Sequence, residues 1–244
     1  MRATALLVVI LAGCSAPAQT APTSHATPPR AAPTTPPPTV MFTSMRLDAS
    51  RLPAIAADGS FVVHTEIDGD GGRGNPNLAI VVRDRRDHEV ERIVVVTANE
   101  AEGQYDEHGP SPALAAKIAA ANTRLAELHA TTDLRPLTIL ASEANPLASD
   151  EGNPAQGEGL LLHLSTRRLT VRASGNLVVD VAPPASWSIP DKKLCATCDE
   201  VCRYPAYLGA AHADLAHTLV LLTVAYAGTD LCPEPVSQHH VIAW

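Results

Sequence analysis

The stretch GPSPALAAKIAAANTRLAELHATT (residues 109–132) carries the one prominent helical period in this chain, and it narrows the fold more than any other feature. Ser111 is a natural N-cap, and Pro112 follows at the first helical position, where its missing N–H costs nothing. Leu114, Ile118, Ala121, Leu125 and Leu128 recur at three- and four-residue steps and make one apolar stripe. Lys117, Arg124 and Glu127 point elsewhere. A helix over about 111–130 with a single stripe has to lie across one apolar surface, and the flanking segments supply a sheet.

Those segments alternate with a period of two. FVVHTEI (61–67) sets Phe61, Val63 and Ile67 on one face and His64 and Glu66 on the other. LAIVVR (78–83) and ERIVVVT (91–97) follow, separated by the charged turn DRRDHE, and the three predict an antiparallel meander. After the strand PLTILAS (136–142), a polar loop rich in Gly, Glu and Asn runs to about Glu158. GLLLHLS, RRLTVR and NLVVDVA form a second antiparallel set, the last two joined through Ser174-Gly175, a good hairpin pair. AHTLVLLTVAYAG (216–228) and SQHHVIAW (237–244) are strand-like by their β-branched and aromatic content. The predicted class is α+β, mainly antiparallel β with one amphipathic helix. The globular part spans 41–244, and a division into two subdomains falls most naturally near 145–158.

A net charge of −8 gives no electrostatic footprint for nucleic acid. Arg167, Arg168 and Arg172 are a local basic cluster, which on a strand reads as a solvated face. Aromatic residues make up only 3% of the chain, which argues against a sugar cleft or a base-stacking platform. Trp187, Tyr204, Tyr207, Tyr226 and Trp244 are concentrated in the last sixty residues, which makes that region the better-packed core or the candidate contact surface.

The amino terminus, MRATALLVVILAGCSAP, offers a positive Arg2 and an apolar run from Ala5 to Ala12. The run is too short to cross a bilayer, which takes about 20 apolar residues, and it fits an exported signal over residues 1–13. Leu11-Ala12-Gly13-Cys14 resembles the lipobox of bacterial lipoproteins. The resemblance implies a diacylglycerol thioether on Cys14, loss of the leader, and the membrane as a partner through lipid. Ser15, where Asp would signal retention at the inner membrane, implies the outer membrane. Residues 14–40 are almost wholly Ala, Pro, Thr and Ser. Such a stretch cannot bury enough surface to offset its conformational entropy, so it reads as a disordered, extended tether with a reach of roughly 80 Å.

With Cys14 assigned to lipid, Cys195, Cys198, Cys202 and Cys232 remain. An even number in an exported chain reads as two disulfides. If 203–211 and 216–227 pair as a hairpin turning near Ala213-Asp214, a Cys202–Cys232 bridge closes its open end, and Cys195 pairs with Cys198 by elimination. The Cys-x-x-Cys spacing is also that of thiol oxidoreductases, whereas three clustered cysteines and a distant fourth fit a zinc ribbon poorly.

Asp68 and Asp70 sit in IDGDGGRGNPN, but the third oxygen ligand and the distant Glu of a calcium loop are missing, so a wide turn accounts for the glycines. His212, His217, His239 and His240, with Asp214 and Asp230, split across opposite strand faces and read as solvated or hydrogen-bonded. No Gly-x-Ser-x-Gly, His-Glu-x-x-His or phosphate-binding loop occurs, and the sequence identifies no catalytic set, metal or cofactor. The expected function is a binding or structural module displayed from the outer membrane, contacting an unknown protein or envelope partner. The alternative is a periplasmic thiol- or metal-dependent protein using Cys195 and Cys198, with His212.

Overall fold

In a computed structural model, the residues described are 33, 35–43, 46–67, 75–106, 108–142, 153–194, 199–228, 232 and 235–244. The chain enters through a hairpin, β1 (Thr39–Thr43) and β2 (Arg46–Ser50), then β3 (Ala54–Ile55), β4 (Phe61–Glu66), β5 (Leu78–Asp84) and β6 (Glu89–Val96). A small ribbon, β7 (Tyr105–Asp106) and β8 (Gly109–Pro110), leads into the helix α1 (Pro112–Thr132). Three two-residue pieces follow, β9 (Arg135–Pro136), β10 (Thr138–Ile139) and β11 (Ala141–Ser142). The next group is β12 (Asn153–Gly157), β13 (Leu160–Leu164), β14 (Leu169–Ala173) and β15 (Asn176–Val181). Last come β16 (Lys192–Lys193), β17 (Val201–Cys202), β18 (Ala206–Asp214), β19 (Leu219–Tyr226) and β20 (Gln238–Ala243). The fold is mostly antiparallel β with this one α-helix among the described residues.

The helix forms as its ends dictate. Ser111 Oγ accepts from Leu114 N at 3.1 Å, satisfying one of the orphan donors of the first turn. Asp133 stops it in the left-handed region at φ 52°, its N–H bonded back to His129 O. Leu114, Ala121, Leu125 and Leu128 are buried against Ala54, Val63, Ile80 and Val82 of the first sheet, whose order is β6-β5-β4-β3-β9. Arg124 fixes the helix laterally through a paired contact with Glu91 on β6, 2.9 Å at each oxygen.

The first sheet has a second buried face. Ile55 and Val62 meet Leu219, Leu221 and Val241 of a second sheet, ordered β10-β18-β19-β20. The far side of that sheet, through Leu208, Val220, Leu222, Val224 and Tyr226, packs on Leu160, Leu162, Leu164, Leu169 and Val171 of a third, β11-β12-β13-β14-β15. The result is four layers, one helical and three β. A strand with both faces covered tends to a near-continuous apolar run. This explains LVLLTVAY in β19, where Leu219 and Leu221 look one way and Val220 and Leu222 the other. Residues 32–244 form one compact unit.

The segment expected as a single strand at 136–142 is instead broken into β9, β10 and β11, each hydrogen-bonded into a different sheet. It runs along the stacked edges and pairs with whichever layer it passes. The loop expected up to Glu158 holds β12. The last hairpin turns at 215–218, after β18, and not at Ala213-Asp214, which lie inside that strand. Ser174 and Gly175 have φ of 48° and 81°, the pair of positive angles that a two-residue hairpin turn requires.

Structure also begins earlier than residue 41. Thr35 O accepts from His129 Nε2 at 2.7 Å, and the Asn122 amide bonds both Val40 N at 2.7 Å and Val40 O at 2.9 Å.

The charged turn DRRDHE clasps the first two sheets together. Arg85 Nη1 donates to His217 O at 2.7 Å. Asp87 accepts from Val241 N at 2.8 Å and lies 2.6 Å from His240 Nδ1. Asp87→Ala leaves that half-buried pair unmatched and is expected to cost about 2 kcal/mol. A lower denaturant midpoint with an unchanged slope checks it; an unchanged midpoint would mean that the turn is not holding the sheets.

Candidate functional site

Two arrangements gather chemistry. The first involves the C-terminal aromatics, which divide between the core and the surface. Trp187 and Tyr226 are core residues, 4% and 1% exposed, and not surface ones. The Tyr226 hydroxyl donates to Trp187 O at 2.9 Å, and the indole stacks on the His240 ring at 4.3 Å. Large rings in an aromatic-poor chain are worth most where they fill the space between sheets. Tyr204 and Trp244 are half-buried against the same core, and Tyr207 is half-buried on β18.

Trp187 and Tyr204 border a cleft of about 360 Å³. Leu164, Trp187, Ile189 and Val224 give it an apolar floor, Tyr204 a wall, and Thr166, Asp191 and Arg203 a polar rim. Arg203 Nε and Asp191 Oδ2 stand 3.7 Å apart, both largely in solvent. The segment carrying Arg203 and Tyr204 is fastened at its start, because the Cys202 and Cys232 sulfurs are 2.01 Å apart. Of the five aromatics expected to form the contact surface, Trp187 and Tyr204 line the cleft, whereas Tyr207, Tyr226 and Trp244 do not. Cys14, Cys195, Cys198, Asp68, Asp70 and Asp230 lie outside the described residues.

The second arrangement sits between the first and second sheets. Period two puts His64 and Glu66 of β4 on the face opposite Val63, which is the face that meets the second sheet. There the His64 ring lies 4.7 Å from that of His239 on β20, tilted by 31°. His64 Nε2 is 3.9 Å from Glu66 Oε1. Arg92 donates to Glu66 Oε2 at 2.6 Å and Arg83 to Oε1 at 3.3 Å, and these arginines are themselves balanced by Glu89 and Asp87. The cluster is thus a charged belt, two guanidiniums against three carboxylates, bordering two imidazoles.

Burial sets the protonation. It pushes His64 down to about 3, with His239 alongside adding to the effect, and pushes His239 down to about 4. Burial alone would raise Glu66, but the hydrogen bond from Arg92, together with His64 and Arg83, outweighs it and holds the carboxyl below its usual value. Both rings are therefore neutral and the carboxylate ionised at neutral pH.

His240 and His217 are hydrogen-bonded to Asp87 and Asp214. His239 and His212 are half-buried, and each has a buried Nδ1 with no hydrogen-bond partner. The His64–Glu66–His239 grouping was hidden in the sequence because its members are far apart along the chain. The available signal was the His-x-Glu alternation inside an otherwise apolar strand. No protein-family model, no curated protein and no solved structure matches this chain.

Proposed function

We propose that the chain is a lipid-anchored module of the cell envelope, held at the outer membrane through Cys14, which binds an exposed segment of an envelope protein in the cleft beside Trp187 and Tyr204. The observation that carries the proposal is the cleft itself: an apolar floor inside a rim that includes Thr166, Asp191 and Arg203. Such a pocket takes an apolar side chain and orients the backbone or charges on either side of it. The leader MRATALLVVILAGC and the Pro/Thr-rich stretch after it support anchoring and reach. Among the described residues no helix is long and apolar enough to cross a membrane.

The test places a photo-cross-linker at Thr166, on the rim, and at Leu177, an exposed position on β15, in cells producing the full chain. An adduct seen from Thr166 alone, and lost when the exposed Ser188 beside the cleft is replaced by Trp, is the expected result. Identical adducts from both positions, or no effect of Ser188→Trp, would refute binding at this cleft.

A further inference from the structure

We propose that His64, Glu66 and His239 form a binding site for a divalent cation of zinc's preferences, closed between the first and second sheets. The site is separate from the cleft and does not depend on it.

The geometry points there first. One donor atom from each of the three side chains lies within 4.8 Å of the others. Zinc bonds of about 2.0–2.1 Å place ligand atoms roughly 3.3 Å apart, so small rotations of side chains bring this set into range. Two imidazoles with one carboxylate suit zinc and its neighbours, whereas calcium and magnesium want oxygen ligands throughout.

The second observation is the unmet hydrogen-bonding capacity. His64 is 2% exposed, and its Nδ1 lies 3.3 Å from Thr65 O, which can only accept. The proton therefore sits on Nδ1, leaving a lone pair on Nε2, the atom turned toward Glu66. That Nε2 and the Nδ1 of His239 are both buried without a hydrogen-bond partner. Leaving such an atom unsatisfied costs about 1–3 kcal/mol. At these positions apolar side chains would avoid the cost, so histidines there call for an occupant.

The surroundings are prepared in the manner of a ligand set. Histidine ligands are oriented by what their other nitrogen bonds, and ligating carboxylates are themselves held by hydrogen bonds. Thr65 O does the first for His64, and Arg92 and Arg83 do the second for Glu66. Because Glu89 and Asp87 offset the two arginines, a dication does not meet an unbalanced positive field. His212, on the same face of the second sheet two strands away, leaves a third unpartnered imidazole nitrogen on that face. The ligands come from β4 and β20, so the ion would join two layers and its binding energy would add to their packing.

The full chain, stripped with chelator under air, is titrated with Zn²⁺ alone. One equivalent should bind, and at a hundredfold excess over Kd the Tm should rise by roughly 5–10 °C. Co²⁺ in its place should show visible d–d bands without a thiolate charge-transfer band. His239→Gln and Glu66→Gln change half-buried residues and should stay folded while weakening binding about tenfold or more. Three results would overturn the proposal. One is no zinc-dependent shift in the unaltered chain, which would leave a trapped water as the occupant. Another is undiminished affinity in both variants. The third is binding lost in Cys195→Ser with Cys198→Ser but kept in His239→Gln, which would assign the ion to the thiols.

Discussion

Acidifying the metal-free protein from pH 7 to about 4.5 should remove roughly 5 kcal/mol of its stability. Burial holds His64 down to about 3 and His239 to about 4, while in an unfolded chain both titrate near 6.5. Between those values the unfolded chain takes up protons that the folded one refuses. The contribution of the neutral rings is therefore complete above pH 6.5 and shrinks as pH falls, by about 1.4 kcal/mol per unit for each histidine. Glu66 is shifted down as well, so its own loss begins only at lower pH, where carboxylates protonate. Against a typical total of about 5–15 kcal/mol, the histidine effect alone brings a domain near its unfolding threshold. Urea midpoints at pH 7, 6, 5 and 4.5 read it directly, and His239→Gln should roughly halve the slope. A flat profile from pH 7 to 5 would mean that the two rings are hydrated and the space between the sheets is wet.

The second large effect concerns Cys202 and Cys232. Replacing both by Ala should lower stability by about 3–4 kcal/mol, because the bond closes a separation of 30 residues that the unfolded chain would otherwise explore. For a domain of this size that corresponds to a fall in Tm of roughly 10 °C. Both cysteines are buried, at 4% and 7% exposure, so Ala is the replacement that adds no unmatched polar atom. The loss should also reach the cleft, since Arg203, Tyr204, Pro205 and Ala206 follow directly on the fastened residue. An unchanged Tm, in protein whose mass shows the parent to be oxidised, would show that the loop needs no covalent tie.

The helix and the strand set around it were legible because their signals are local. Ser111, Pro112 and the Leu114-to-Leu128 stripe describe one element with one partner surface, and alternation in 61–67 and 78–83 describes strands. Stacking is not local. FVVHTEI reads as a strand with one apolar and one polar face, yet both faces are covered, and only the position of β20 decides that His64 meets His239 and not water. Trp187 and Tyr226 illustrate the same gap: an aromatic residue's sequence neighbours do not reveal whether it fills a core or faces a partner. PLTILAS was apolar enough for a strand, but its hydrogen bonds are shared among three sheets that no local pattern specifies.

The bonds from His129 to Thr35 and from Asn122 to Val40 have a mechanical consequence. Pulling the chain from its amino-terminal side draws on α1, then on the first sheet through Arg124 and Glu91. The recess beside Trp187 is walled by the layers farthest from that grip, and packed sheets lie about 10 Å apart. Tension therefore enters through α1 and the first sheet, and the recess stays off its line.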